Sequence, residues 1–233
     1  MSRRSRNRSE RHSGPQAATS FLAPPWTGAP FLKLVRKFNE QFLEKLAEVA
    51  QESDGRPVPE MVRTNRDLWV NLDASARERA GGFPLLLADI HFRDAPWWCR
   101  AQIKVSEQEG ASGPVPLFAD GQGTDLMRHA LFVAWRVAQQ DARDAEILLA
   151  MSDDVAVVVS SLGFDELRHI AQHHHRELRP RWEHLGAFWS ELLSAAIRND
   201  RRALNDLRLY VHQLAEGDVL AASTPDGTGK VRN

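Results

Sequence analysis

The sequence has only one cysteine, Cys99, and no long apolar run. A single cysteine excludes an intrachain disulfide and is typical of a reducing compartment, so we expect a cytoplasmic protein. The thiol follows Trp97 and Trp98, which favours a packed side chain over a nucleophile. No apolar run approaches the ~18 residues that a membrane-spanning helix needs. The sequence therefore predicts no membrane span.

A large net charge of either sign is also lacking. Lys and Arg number 30 and Asp and Glu number 31, which gives a formal charge of -1. No overall positive charge draws the chain to nucleic acid or anionic lipid, so any such binding must depend on local patches.

The sequence also lacks the common catalytic and cofactor motifs. It contains no Gly-x-Ser-x-Gly, no glycine-rich phosphate loop before a helix and no Cys-x-x-Cys. Gly121 and Gly123 are not followed by the third glycine, nor preceded by the strand, of a dinucleotide site. Asp153 and Asp154 stand where a helix begins, and capping explains them without catalysis. We expect neither an enzyme nor a bound cofactor.

Helical periodicity is the strongest positive signal. Between Leu131 and Ala171 and just before, apolar residues recur three or four positions apart: Leu126, Ala130, Val133, Val137, Ile147, Val155, Val158, Leu162, Leu167 and Ile170. Two breaks interrupt the pattern, and Ser152 or Asp153, and then Asp165, are suited to cap the following helices. The sequence predicts a mainly α protein with multi-helical, orthogonal or bundle-like packing and little or no β-sheet.

The remaining segments extend this prediction. An apolar stripe after Pro30 predicts an amphipathic helix, and residues 60–80 predict a second helix that ends at Gly81 and Gly82. Residues 83–90 fit a buried helical turn or a short strand, and residues 94–98 are expected to begin an irregular segment. Two further helices are expected around residues 188–196 and 204–214, with the second ending near Gly217.

The predicted helices and the segments between them divide the sequence into five regions. We expect a disordered basic tail at residues 1–28 and an N-terminal helical region at 29–106. A glycine- and proline-rich linker or loop is expected at 107–124, a C-terminal helical region at 125–216 and a flexible tail at 217–233.

Two arginine-rich segments are candidates for contact with nucleic acid. The first lies in the N-terminal tail and the second in the C-terminal third, where acidic residues are interleaved, so a salt-bridged solvent face is the alternative. The candidate residues are Arg3, Arg4, Arg6, Arg8, Arg11, Arg176, Arg179, Arg181, Arg201 and Arg202. The second segment also contains Arg198 and Arg208.

Other side chains are candidates for a metal site or an interface. Glu166, His169 and His173 are three and four positions apart, so a helix would place them on one face, which is a start for a zinc or iron site but an incomplete one. No second Glu-x-x-His and no His-Glu-x-x-His is present, and a solvated helix end is the alternative. Large aromatic side chains are enriched where proteins meet, which makes interface candidates of Trp135, Trp182 and Trp189.

Residues from about 131 to 171 resemble the FlhD-like flagellar transcriptional regulators of bacteria. The resemblance rests on an Ala-x-Arg-x-x-x-Gln-Asp helix, an Ala-x-x-x-Leu segment, a short helix and a final helix that begins with Leu and ends in Ile-Ala. The matching positions, without a gap, are Ala134, Arg136, Gln140, Asp141, Ala145, Leu149, Ala156, Leu162, Ile170 and Ala171. The resemblance implies a helical, dimerising module that acts in transcription control with DNA and an FlhC-like partner.

Three functions therefore stand as hypotheses. The first is a transcriptional regulator, an activator or regulatory subunit that works as a homo-oligomer with DNA, a partner protein, or both. The second is a partner-binding adaptor of a motility or secretion assembly that does not contact DNA. The third is a metal-dependent helical enzyme that uses Glu166, His169 and His173.

Overall fold

The computed structural model describes residues 30–52, 58–103 and 114–222. Within these ranges the fold consists of eleven α-helices and one two-stranded sheet, which confirms the prediction of a mainly α protein. The helices are α1 (Pro30–Gln51), α2 (Glu60–Thr64), α3 (Arg66–Val70), α4 (Ala74–Gly81), α5 (Ala95–Ala101), α6 (Asp120–Gln140), α7 (Ala142–Leu149), α8 (Asp153–Ser161), α9 (Phe164–His173), α10 (Gly186–Ile197) and α11 (Arg201–Ala222). The strands are β1 (Ala88–Asp89) and β2 (Arg179–Pro180), which pair antiparallel, and a 3-10 turn spans His175–Glu177.

Two long helices, α1 and α6, pack against each other at the centre of the fold. The stripe predicted on α1 is buried, and the rings of Phe38 and Phe42 lie 5.7 Å apart between centroids. Helices α3 and α4 lie along α1, and α7, α8 and α9 lie along α6. Helix α10 packs on α2, α3, α4 and α11. Buried apolar residues of both predicted helical regions form one continuous core.

Helix α6 begins at Asp120, inside the segment predicted as a linker. Residues 107–113 of that segment are outside the described residues, as are the predicted tail at 1–28 and the last eleven residues. Helix α11 continues to Ala222, past the end expected near Gly217. No helix in the described ranges combines the length and apolar character needed to cross a bilayer.

Residues 83–90, for which the sequence was compatible with either a helical turn or a short strand, form a mostly irregular and largely buried connection that includes β1. The side chain of Asn39, which lies on α1 and is fully buried, forms hydrogen bonds with backbone groups of this connection. Its Nδ2 donates to the Leu85 carbonyl at 2.8 Å, and its Oδ1 accepts from the Leu87 amide at 2.9 Å. The Leu86 amide donates to the carbonyl of Leu148 at 2.9 Å. Backbone groups that would be costly to bury unpaired are thereby satisfied.

Residues 60–80 form three short helices where the sequence predicted one. Asn65 lies between α2 and α3, and its Nδ2 donates to the Met61 carbonyl at 2.9 Å, in competition with the helical pattern. Asp73 then begins α4, because its Oδ1 accepts from the Ala76 amide at 2.7 Å.

Two predicted boundaries are also corrected. Residues 94–98 do not begin an irregular segment: Asp94 accepts from the Trp97 amide at 2.8 Å and starts α5. Asp165 is not the cap of α9, which begins one residue earlier at Phe164. The Gly163 amide instead donates to Oε2 of Glu166 at 2.6 Å. A third break, at Asp141 between α6 and α7, was not predicted.

Candidate functional site

An open cleft with four arginines lies between α1, α4 and the first turns of α11. We call it the arginine cleft and define it by Arg36, Arg79, Arg201 and Arg208. It encloses about 540 Å³, and Glu40 and Glu78 also line it. A volume of this size is typical of small-molecule sites, which span roughly 300–1,000 Å³.

The guanidinium groups of Arg36 and Arg208 converge on the backbone of Gly82. A Cβ atom at Gly82 would lie 3.3 Å from Nη2 of Arg36 and 3.4 Å from Nη2 of Arg208. Burial and the nearby charge of Arg36 lower the pKa of the Arg208 guanidinium. The charge of the exposed Arg36 therefore acts on a guanidinium that is itself partly buried, and an anion that bridges the two would relieve this repulsion.

Arg208 is held in place by neutral groups. Its Nη1 donates to Oδ1 of Asn205 at 2.9 Å, and its Nη2 donates to the Gly82 carbonyl at 3.2 Å. Its Nε is buried and has no acceptor among the described residues. Arg208 is thus oriented toward the cleft without being neutralised.

Arg79 is anchored in a similar way. Its Nε donates to the Ala196 carbonyl at the end of α10, at 2.7 Å, and this bond leaves both terminal nitrogens for other acceptors. Within the described residues, no arginine of the cleft forms an ion pair with a carboxylate, although Glu40 and Glu78 are part of the same lining. The cleft therefore keeps donors for an external anion.

A second group of arginines lies at the turn between α10 and α11. Arg198, Arg201 and Arg202, which we call the arginine corner, are all exposed. None of the three has an ion pair or side-chain hydrogen bond within the described part of the chain. Asn199 and Asp200 make the turn, with Asn199 in the left-handed region at φ 55°. Arg201 belongs to both the corner and the cleft, so the two basic surfaces are continuous.

The other basic candidates have different surroundings. Arg181 is buried in the core, where its Nη2 donates to the carbonyls of Leu149 at 2.5 Å and Ala88 at 3.3 Å. Arg179 pairs with Glu183 at 3.4 Å, and Arg176 is half-buried in the 3-10 turn. Arg3, Arg4, Arg6, Arg8 and Arg11 lie outside the described residues.

The three metal candidates share α9 but do not form a binding site. Glu166 accepts from the Gly163 amide, as a residue of the first helical turn. The rings of His169 and His173 lie 4.4 Å apart between centroids, and His174 contacts Trp97 at 5.5 Å. Within the described ranges, no group of three or more His, Cys, Asp or Glu residues is placed to hold a metal ion.

Only one of the three tryptophans predicted at an interface reaches the surface. Trp189 is fully buried against Trp69, and Trp182 is buried against Phe188, so both belong to the core. Trp135 is half-buried, and its ring centroid lies 5.1 Å from that of Phe164, a residue that is 71% exposed. Phe132, one helical turn from Trp135 on α6, is exposed as well. We call Phe132, Trp135 and Phe164 the aromatic patch.

Arg36 and Arg79 were not among the basic residues predicted from the sequence. Arg36 stands four positions before Glu40 on α1, a spacing that indicates an ordinary salt bridge on a helix surface. Arg36 and Arg79 meet the arginines of α11 only through the packing of helices that are distant in sequence. The signal that was present is the run of arginines from Arg198 to Arg208.

Comparisons with known proteins give no relative for this chain: it matches no protein-family model, no curated protein and no solved structure.

Proposed function

We propose that the protein is a DNA-binding regulatory protein, as the resemblance of residues 131–171 to FlhD-like regulators implies. The observation that supports this proposal is the arginine corner, where three exposed guanidinium groups have no carboxylate partner among the described residues. Unpaired surface arginines can bind the phosphate backbone of DNA, and this binding is favourable because it releases condensed counterions. The five arginines before residue 12 would add a second, sequence-independent contact.

The test is the salt dependence of DNA binding. Labelled duplex is titrated with the full-length protein at increasing salt, and fluorescence anisotropy gives the slope of log affinity against log salt. We expect Arg198→Gln combined with Arg202→Gln to reduce the slope by about two, since each lost phosphate contact removes about one. Both residues lie outside the arginine cleft, so this variant leaves the cleft intact.

The matched control is Arg128→Gln combined with Arg168→Gln. It removes the same number of charges, but each of these arginines pairs with an aspartate on its own helix at 2.7 Å. An unchanged slope is expected for the control. Absence of binding at low salt, or equal slopes for the two double variants, would contradict the proposed function.

A partner-binding function is the second candidate, and the aromatic patch favours it. Exposed, adjacent aromatic side chains are typical of surfaces that meet another protein. The patch lies in the segment whose resemblance implies a dimerising module, so we propose a second copy of the chain as its occupant.

Self-association is tested with Phe164→Asp, which places a charge in the patch. We expect light scattering to give a concentration-dependent mass for the unchanged protein and a monomer mass for the variant. Leu209→Asp is the control, because Leu209 is similarly exposed, at 68%, on α11. A monomer at all concentrations before substitution would eliminate the second copy and leave a different protein as the partner.

A further inference from the structure

We propose that the arginine cleft binds a small phosphate monoester that also carries hydroxyl groups, such as a phosphorylated sugar. The proposal goes beyond DNA binding and does not depend on it. It begins with the convergence of Arg36 and Arg208, whose Nη2 atoms both lie within 3.4 Å of the point where a Gly82 Cβ would stand. Like charges in such proximity are stabilised when an anion bridges them.

The charge of the lining fits a phosphate monoester. Four arginines and two glutamates line the cleft, which leaves an excess of two positive charges. A phosphate monoester carries about -1.5 to -2 charges at neutral pH and three acceptor oxygens. Guanidinium groups match this geometry because their N–H donors form a planar fork.

Neutral anchoring prepares the site for such an anion. Arg208 is fixed by Asn205 and the Gly82 carbonyl, and Arg79 is fixed by the Ala196 carbonyl. These bonds orient both guanidinium groups and leave their positive charges unneutralised. Less conformational entropy is therefore lost when the anion binds.

The glutamates and the size of the cleft indicate that the ligand extends beyond the phosphate. Glu40 and Glu78 form no ion pair with the neighbouring arginines, so their oxygens remain acceptors for hydroxyl donors. A volume of about 540 Å³ has room for a sugar beside the phosphate.

The experiment compares four probes at equal ionic strength: inorganic phosphate, ribose 5-phosphate, ribose and chloride. Calorimetry measures binding and thermal melting measures stabilisation of the full-length protein. We expect ribose 5-phosphate to bind more tightly than inorganic phosphate and to raise the melting temperature, whereas ribose and chloride do neither. Absence of saturable binding by either phosphate probe would overturn the proposal.

Arg36→Gln is the informative variant, because Arg36 is exposed and has no side-chain hydrogen bond or ion pair among the described residues. We expect it to weaken ribose 5-phosphate binding by at least about tenfold, as the loss of a charged hydrogen-bond donor implies. In chloride its melting temperature should equal or exceed that of the unchanged protein, since a like-charge repulsion is relieved. A merely structural arginine would lower the melting temperature in every buffer.

Two controls separate the sources of the effect. Arg63→Gln removes an exposed arginine of α2 outside the cleft and should leave binding unchanged; an equal loss would indicate general electrostatics and overturn the proposal. Glu78→Gln should reduce the preference for ribose 5-phosphate over inorganic phosphate.

Arg198→Gln with Arg202→Gln should retain binding of ribose 5-phosphate, whether or not this variant binds DNA, so the two proposals fail separately. If duplex DNA competes with ribose 5-phosphate and Arg36→Gln weakens both equally, the phosphate belongs to nucleic acid and the small-ligand proposal is wrong.

Discussion

Asn39 and Arg181 are two buried polar side chains that satisfy the backbone of irregular segments. Asn39 bonds to the connection after α4, and Arg181 reaches the carbonyls of Ala88 and Leu149 from the residue after β2. Each side chain supplies bonds that a helix or sheet would otherwise make between backbone groups. Loss of either side chain would therefore leave buried backbone groups without a hydrogen-bond partner and lower the free energy of unfolding.

Replacing Asn39 tests this role directly. We expect Asn39→Leu, which keeps the volume approximately, to lower the free energy of unfolding by roughly 2–4 kcal/mol. The cause is that the Leu85 carbonyl and the Leu87 amide would remain buried without a partner. Chemical denaturation followed by circular dichroism measures the change.

The matched control is Asn71→Leu. Asn71 is exposed, and its Nδ2 donates to the Asp67 carbonyl at 2.8 Å, where water can replace it. We expect a loss below about 1 kcal/mol for this variant. Equal losses at the two positions would show that burial of the Asn39 contacts does not govern their contribution.

At the scale of elements, the close crossing of α1 and α4 depends on Gly81. A Cβ atom there would lie 2.6 Å from Cγ of Glu40 and 3.0 Å from the Glu40 amide nitrogen. The side-chain atom can move, but the backbone nitrogen cannot move without displacing α1. The same crossing places Arg36 and Arg79 in one cleft.

Gly81→Ala is therefore expected to destabilise the protein by roughly 1–3 kcal/mol, the usual cost of overpacking. Gly121→Ala is the control, since a Cβ at that position of α6 meets nothing within 4 Å. Alanine should stabilise α6 there by up to about 1 kcal/mol, because glycine is the poorer helix former. Thermal melts of both variants measure the difference, and two changes of the same sign would contradict this interpretation.

The helices were more predictable than their junctions. The apolar stripes of α1 and α6 repeat over many residues, so periodicity alone indicates those helices. Asn65 and Asp141 interrupt helices through single hydrogen bonds between side chain and backbone. The spacing of apolar residues carries no information about such bonds. The arginine cleft was less predictable still, because its residues come from helices that are distant in sequence.

At the scale of the whole molecule, His129 connects the two central helices. It lies on α6, its Nδ1 is 2.7 Å from Oε1 of Gln41 on α1, and its ring packs edge-on against Phe38 at 5.3 Å. Burial lowers the pKa of His129 below its ordinary value of 6.5, and the charge of Lys37 acts in the same direction. Protonation of this ring therefore opposes the packing of α1 on α6.

Burial also lowers the pKa of His174, although the carboxylate of Glu177 partly offsets the shift. For both histidines the unfolded chain binds a proton more readily than the folded chain. Stability therefore rises with pH between the lowered pKa and 6.5, and it is lost as the pH falls through that interval. The pKa of Asp144 is shifted in the opposite sense: burial, and then the charge of Asp141, raise it above its ordinary value, so this group contributes a loss of stability as the pH rises.

We expect the midpoint of urea denaturation to remain nearly constant above pH 7 and to decrease as the pH is lowered from about 6.5. His129→Gln should reduce that decrease, because glutamine has no proton to gain and its amide can still bond to Gln41. His184→Gln, at an exposed histidine, controls for the removal of a histidine as such. If the His129→Gln and unchanged proteins lose stability equally between pH 7 and pH 5, protonation of His129 does not control the contact between α1 and α6.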